Sequence, residues 1–155
     1  MNEVLAWSGR TIEDAFGDGP LMDETLDRLL GTEPIRKDAN GIPGYSAFWV
    51  TGEAEYYRHV GSLKQFESTH TRLVELLNYM ETEMHSRAMF ADANHAWPFV
   101  DWSPELNGDD AESRLGTEME FYAAFREGAW LLGELHDSAN AEKFQKEADA
   151  IKTAA

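Results

Sequence analysis

Cysteine is absent from the 155 residues, so no disulfide, thiolate nucleophile or thiolate metal ligand is available. Basic residues are scarce: 13 Lys and Arg stand against 29 Asp and Glu, a formal charge of −16. Phosphate binding needs a basic face, which argues against DNA, RNA or an anionic membrane as partner. Long apolar runs are missing too. None approaches the roughly 20 residues that span a bilayer, and no signal peptide opens the chain, so the chain as given is expected to stay in the cytoplasm. There is no Walker loop, no Gly-x-Gly-x-x-Gly and no Gly-x-Ser-x-Gly, and no cofactor is implied. The histidines His59, His70, His85, His95 and His136 show no metal spacing and fall mostly on helical stretches. They read as satisfied surface or core residues, and no metal site is expected.

What remains is an ordinary globular composition, 43% hydrophobic and 27% charged, in a chain long enough to bury one sizeable core. Residues 1–155 are therefore read as one domain. Asp18-Gly19-Pro20 supplies an N-cap and a first-turn proline for a helix over Leu21–Leu30. A loop rich in Gly, Pro, Asn and Asp follows from Thr32 to Gly44. Tyr45–Val60 reads as a helix with Phe48, Trp49, Val50, Ala54, Tyr56 and Tyr57 spread round most of its circumference, hence a buried one. Gly61 stops it, and Ser62-Leu63-Lys64-Gln65 has the form of a capping box. The next helix, to about His85, carries Phe66, Leu73, Leu77, Met80 and Met84 on one stripe and should lie outside.

The pattern then repeats. Arg87–Asp110 is a second long loop, and Thr117-Glu118-Met119-Glu120 reads as a capping box opening another helix apolar nearly all round. Glu118 and Glu120 would then sit in its first turn, where a carboxylate suits the helix dipole. An amphipathic helix over Ser138–Thr153 closes the series through Ala141, Phe144, Ala148 and Ile151. Gly61-Ser62 and His136-Asp137-Ser138 occupy equivalent turns about 75 residues apart. The fold class is all-α: antiparallel αα-hairpins with inner helices packed together, outer helices covering them, and long loops gathered at one end. Loops on a rigid scaffold are where function usually sits.

The second loop carries the chain's most distinctive run, Trp97-Pro98-Phe99-Val100-Asp101-Trp102-Ser103-Pro104. Aromatic rings lose little rotamer entropy when fixed, and their faces suit the apolar face of a sugar. The two prolines stiffen the backbone, and a carboxylate held between the rings accepts two hydroxyl hydrogen bonds. Trp97, Asp101 and Trp102 are therefore the candidate substrate-binding residues. The plainer reading is that the rings seal the end of a helical layer and Asp101 caps a helix.

The hairpin alternation, Asn40-Gly41-Ile42-Pro43-Gly44-Tyr45 and Phe99-Val100-Asp101-Trp102 together resemble the (α/α)6 toroid of the six-hairpin glycosidases, and within them the bacterial α-L-rhamnosidase family. Glu3-Val4-Leu5-Ala6-Trp7-Ser8-Gly9-Arg10 is similar to that family's catalytic segment, in which an acidic residue stands four positions before Trp-x-Gly-Asp. The resemblance covers nearly the whole chain but only about half of the family's catalytic domain. It implies Glu3 as the general acid, with Trp7, Asp101 and Trp102 lining a sugar pocket. Asn2 stands where many members have Asp, and Arg10 where the motif has its final Asp.

Inverting hydrolysis needs two carboxyl groups roughly 6.5–9.5 Å apart, one protonated and one activating water. The family's second carboxylate has no match here, so the implied enzyme is a glycoside hydrolase that is inactive as this fragment. The alternative is a non-catalytic helical-hairpin module that binds carbohydrate or a protein through its loop face. A ring cut open should also leave inner-helix side chains such as Tyr56, Phe121 and Phe125 facing solvent or another copy, favouring self-association.

Overall fold

Proline at the first position of a helix gives up an amide that would be unpaired anyway, and Pro43 takes that position in the helix that organises the fold. The computed structural model describes residues 11, 14–15, 17, 19–61, 66–84, 96–108 and 110–154. Among them the regular structure is five α-helices and a short 3-10 turn, Ala39–Gly41, with no strand. The helices are α1 (Gly19–Leu30), α2 (Pro43–Val60), α3 (His70–Thr82), α4 (Ala111–Glu134) and α5 (Ser138–Ala154). None is long and apolar enough to cross a membrane. The all-α reading holds.

Helices α2 and α4 lie side by side and run parallel. Gly44 meets Glu120, Val50 meets Gly128, and the Tyr57 hydroxyl donates to Glu134 at 3.0 Å, so contacts climb both helices together. Both therefore begin at one end of the molecule, which brings the loops before them together as the sequence pattern implies. α5 folds back on α4, with Phe144 stacked on Phe125 at 6.0 Å, and α3 folds back on α2. α3 and α5 touch through Lys143, which reaches Asn78 and Glu81 at 2.6 Å. α1 covers the far side of α2, where the Trp49 indole donates to the Leu26 carbonyl at 2.9 Å.

The far end is tied by turn chemistry. Gly61, with φ 67°, ends α2 in the left-handed region and donates its amide to Tyr57. His136, at φ 62°, turns α4 into α5, and Asp137 caps α5 by accepting from the Asn140 amide. The other Asp137 oxygen lies 2.8 Å from His70 Nε2 at the start of α3. The Asn140 side chain first, and His70 after it, hold Asp137 below the usual carboxylate range.

Two expectations are corrected. Tyr56, Phe121 and Phe125 do not face solvent; each is fully buried. All three point into the layer between the inner and outer helices, where Tyr56 meets Phe66 and Phe121 meets Phe125. The exposed apolar positions of α4 are Leu115 and Met119, on its other face. Nor does a helix open at Thr117. α4 begins at Ala111, capped by Asp110, whose Oδ1 accepts from the Ser113 amide at 2.8 Å. Thr117 is buried and donates its hydroxyl to the Ser113 carbonyl one turn back. Glu118 and Glu120 thus sit beyond the first turn, too far inside to cap it. The capping box at 62–65 lies outside the described residues, but the helix expected to run from it to about His85 is shorter: residues 67–69 form a turn, and α3 spans only His70–Thr82 with Glu83 at its C-cap.

One buried charge is conspicuous. Glu53 of α2 is 3% exposed, its Oε1 has no hydrogen-bond partner, and Asp27 and Asp23 of α1 face it. Burial, reinforced by those two carboxylates, pushes its pKa up to about 8. A raised carboxyl pKa stabilises the fold fully below the ordinary value of 4.5 and loses that contribution as pH rises through about 8. Thermal melts followed by circular dichroism should therefore show Tm falling by roughly 5–10 °C between pH 5 and pH 9. Glu53→Gln should remove about half of that fall, since Glu120 is raised to the same value, whereas an unchanged slope in the variant would place the titrating group elsewhere.

Candidate functional site

The loop that enters α4 is held by its own backbone. The amides of Val100 and Asp101 both donate to the Leu106 carbonyl, at 3.0 and 3.1 Å, and the Leu106 amide donates to Ser103. Phe99 is buried at 2% exposure and anchors the loop. Trp97 and Trp102 pack against it, with ring centroids 5.0 and 4.9 Å from Phe99 and 6.0 Å from each other. Yet Trp97 remains 41% exposed and Trp102 70%. Two indoles fixed by a buried phenyl ring and open to solvent form a preorganised apolar platform.

The platform is fastened to α4 at Gly116. A Cβ there would come within 2.7 Å of a Val100 methyl, so only glycine lets the loop lie this close. One helical turn further, on the same face, stands Glu120. Its carboxyl abuts Gly44 in the first turn of α2, where a Cβ would overlap it. The Glu120 side chain is half-buried, and its Oε2 is enclosed without a hydrogen-bond partner. Burial raises its pKa to about 8, so Glu120 carries a proton at neutral pH.

The loop before α2 is fixed in turn by Asp38. Its Oδ1 accepts from the Ser46 hydroxyl at 2.7 Å, and Ser46 Oγ accepts from the Ala39 amide at 3.0 Å. Asp38 and Glu83, beyond the C-terminus of α3, are 2% and 0% exposed. Burial raises the Asp38 pKa, while hydrogen bonds from Ser46 and Glu83 oppose the rise. These carboxyls are sealed in and hold the loop; they do not face a ligand.

Among the expected site residues, Trp97, Asp101 and Trp102 share one loop, while Glu3 and Trp7 lie outside the described residues. Asp101 is not clamped between rings. It is exposed, and its Oδ1 accepts from the Ser103 amide at 3.1 Å in an Asx turn. It neither caps a helix nor is buried, so part of its hydrogen-bonding capacity serves the loop. Glu120 is the residue that sequence reasoning missed. Spacing placed it in a first helical turn, and only the approach of Gly44 reveals its enclosure. Among the described residues no three His, Asp or Glu side chains converge as metal ligands. No family model, curated protein or solved structure matches the chain.

The arrangement at Gly44 is testable. A methyl group in Gly44→Ala displaces the flexible Glu120 carboxyl toward water. Carbon-detected NMR titration should then show Glu120 falling from about 8 toward the ordinary 4.5. A Glu120 pKa unmoved by Gly44→Ala would mean that the Gly44 contact is not what encloses it.

Proposed function

We propose that this chain is part of the catalytic domain of an α-L-rhamnosidase-like glycoside hydrolase, contributing neighbouring hairpins of an (α/α)6 toroid. The observation that carries the proposal is the pair of solvent-open indoles fixed on Phe99 at the end where the parallel helices α2 and α4 begin. In a hairpin ring the starts of the inner helices converge on the axis, where a sugar would be held. The apolar face of a pyranose stacks on Trp102 and Trp97, and the free oxygen of Asp101 accepts a ring hydroxyl.

Inverting hydrolysis of a terminal sugar then needs an acid that keeps its proton at neutral pH and a base that activates water across the scissile bond. By resemblance the acid is Glu3. Among the described residues, Glu120 also has that protonation state, one turn of α4 from the platform, and it serves as a hydroxyl donor to the bound sugar. The base belongs to hairpins outside this chain, so the isolated chain binds sugar without turning it over.

Titrating the chain with L-rhamnose while following tryptophan fluorescence tests the reading. A saturable change is expected in the tens of millimolar range, as a shallow platform with few polar contacts implies on the order of −2 kcal/mol of binding. Trp102→Ala should remove it, and an aryl rhamnoside should not be hydrolysed by the isolated chain. Absence of any saturable signal, or a signal untouched by Trp102→Ala, would refute the platform.

A further inference from the structure

Away from the loop end, a lateral cleft of about 330 Å³ opens between the C-terminus of α1 and the N-terminus of α3. That volume lies at the lower end of the roughly 300–1,000 Å³ typical of small-molecule sites. Its floor is Trp49, only 2% exposed, with the indole N–H committed to the Leu26 carbonyl. At that exposure only an edge of the ring reaches the cleft, and it brings no spare donor. Leu30 adds apolar surface on the α1 side.

Polar groups of both kinds rim this apolar floor. On the α1 side stand the Asp27 carboxylate and the Thr32 hydroxyl, and neither side chain has a hydrogen bond or ion pair among the described residues. On the α3 side stand Thr69 and Arg72. The Thr69 hydroxyl donates to the Phe66 carbonyl at 3.2 Å, which leaves its oxygen as an acceptor. Arg72 is held rigidly: Nη2 reaches the Leu30 and Gly31 carbonyls at 3.3 and 3.1 Å, and Nη1 reaches Glu75 at 2.6 Å. A guanidinium fixed on the end of α1 is a preorganised positive wall whose remaining Nη1 hydrogen is a donor.

Charge decides what such a cleft accepts. An anion would meet Asp27, the negative end of α1 and a molecule with a formal charge of −16. A cation would meet Arg72, which already occupies the α1 carbonyls. A neutral molecule with several hydroxyls meets neither penalty. Adjacent hydroxyls donate to the two oxygens of Asp27, a further oxygen accepts from Arg72, and a C–H face lies against the half-buried Leu30. We propose that this cleft is a binding site for a neutral polyol of monosaccharide size, separate from the aromatic platform.

The test is amide-resolved NMR on the isotopically labelled chain titrated with D-glucose, myo-inositol, sodium acetate and choline chloride, each to 200 mM. Saturable shifts are expected with glucose or inositol at Gly31, Thr32, Thr69 and Arg72, with acetate and choline producing none there. Asp27→Ala should weaken the polyol response at least tenfold. That variant is expected to fold, because it removes a carboxylate facing the buried Glu53. Trp102→Ala should leave these shifts intact, which separates the cleft from the loop platform. Loss of polyol shifts in Trp102→Ala, their persistence in Asp27→Ala, a stronger response to either ion, or no saturation by 200 mM would each overturn the proposal.

Discussion

The parallel packing of α2 against α4 is the constraint on which the rest of the molecule depends. Two helices joined through a single short turn must run antiparallel, so parallel neighbours require an intervening element to bring the chain back. α3 supplies that return, and its apolar stripe covers the seam that α2 and α4 create. α5 then does for α4 what α3 does for α2. Once the two inner helices point the same way, both entering loops fall at one end. The approach of Gly44 to Glu120 and the seating of Val100 on Gly116 follow from this shared direction.

Much of this was legible in the sequence. Gly61 and the turn at His136–Ser138 marked the hairpins, and Leu73, Leu77 and Met80, all buried, marked an outer helix; Phe66, read on the same stripe, is buried too but precedes that helix across the turn at 67–69. Helix boundaries were less legible where two capping signals compete. Asp110 and Thr117 both precede sequences fit for a first turn, and the longer helix wins because it buries Ser113 and Thr117 against the loop and core. For α4 the sequence shows apolar residues on nearly every side, and that pattern cannot say which ones face the outer layer. Phe121 and Phe125 turn inward, whereas Leu115 and Met119 are left in solvent.

The candidate site was legible as a list of rings and illegible as a geometry. Trp97, Phe99 and Trp102 announce themselves by type and by flanking prolines, and the structure brings the three rings into contact. The role of Asp101 turns on a local choice that sequence leaves open. Its carboxylate bends back to the Ser103 amide, a short-range bond that costs less entropy than waiting for a ligand. Glu120 and Glu53 are ordinary surface-type residues by composition. Their character comes from burial by neighbours far off in the chain, against a bare glycine backbone in one case and reinforced by two α1 carboxylates in the other.

Enclosing Glu53 and Glu120 also alters what the molecule exchanges with its solvent. With pKa values of about 8, both hold protons at neutral pH that an unfolded chain would have released. Folding near pH 7 is therefore a proton-consuming reaction. The folded chain is therefore less negative at that pH than its formal −16. Heat measured for unfolding at that pH includes the ionisation enthalpy of whichever buffer takes up the released protons, so calorimetry in phosphate and in Tris would differ for the same structural event.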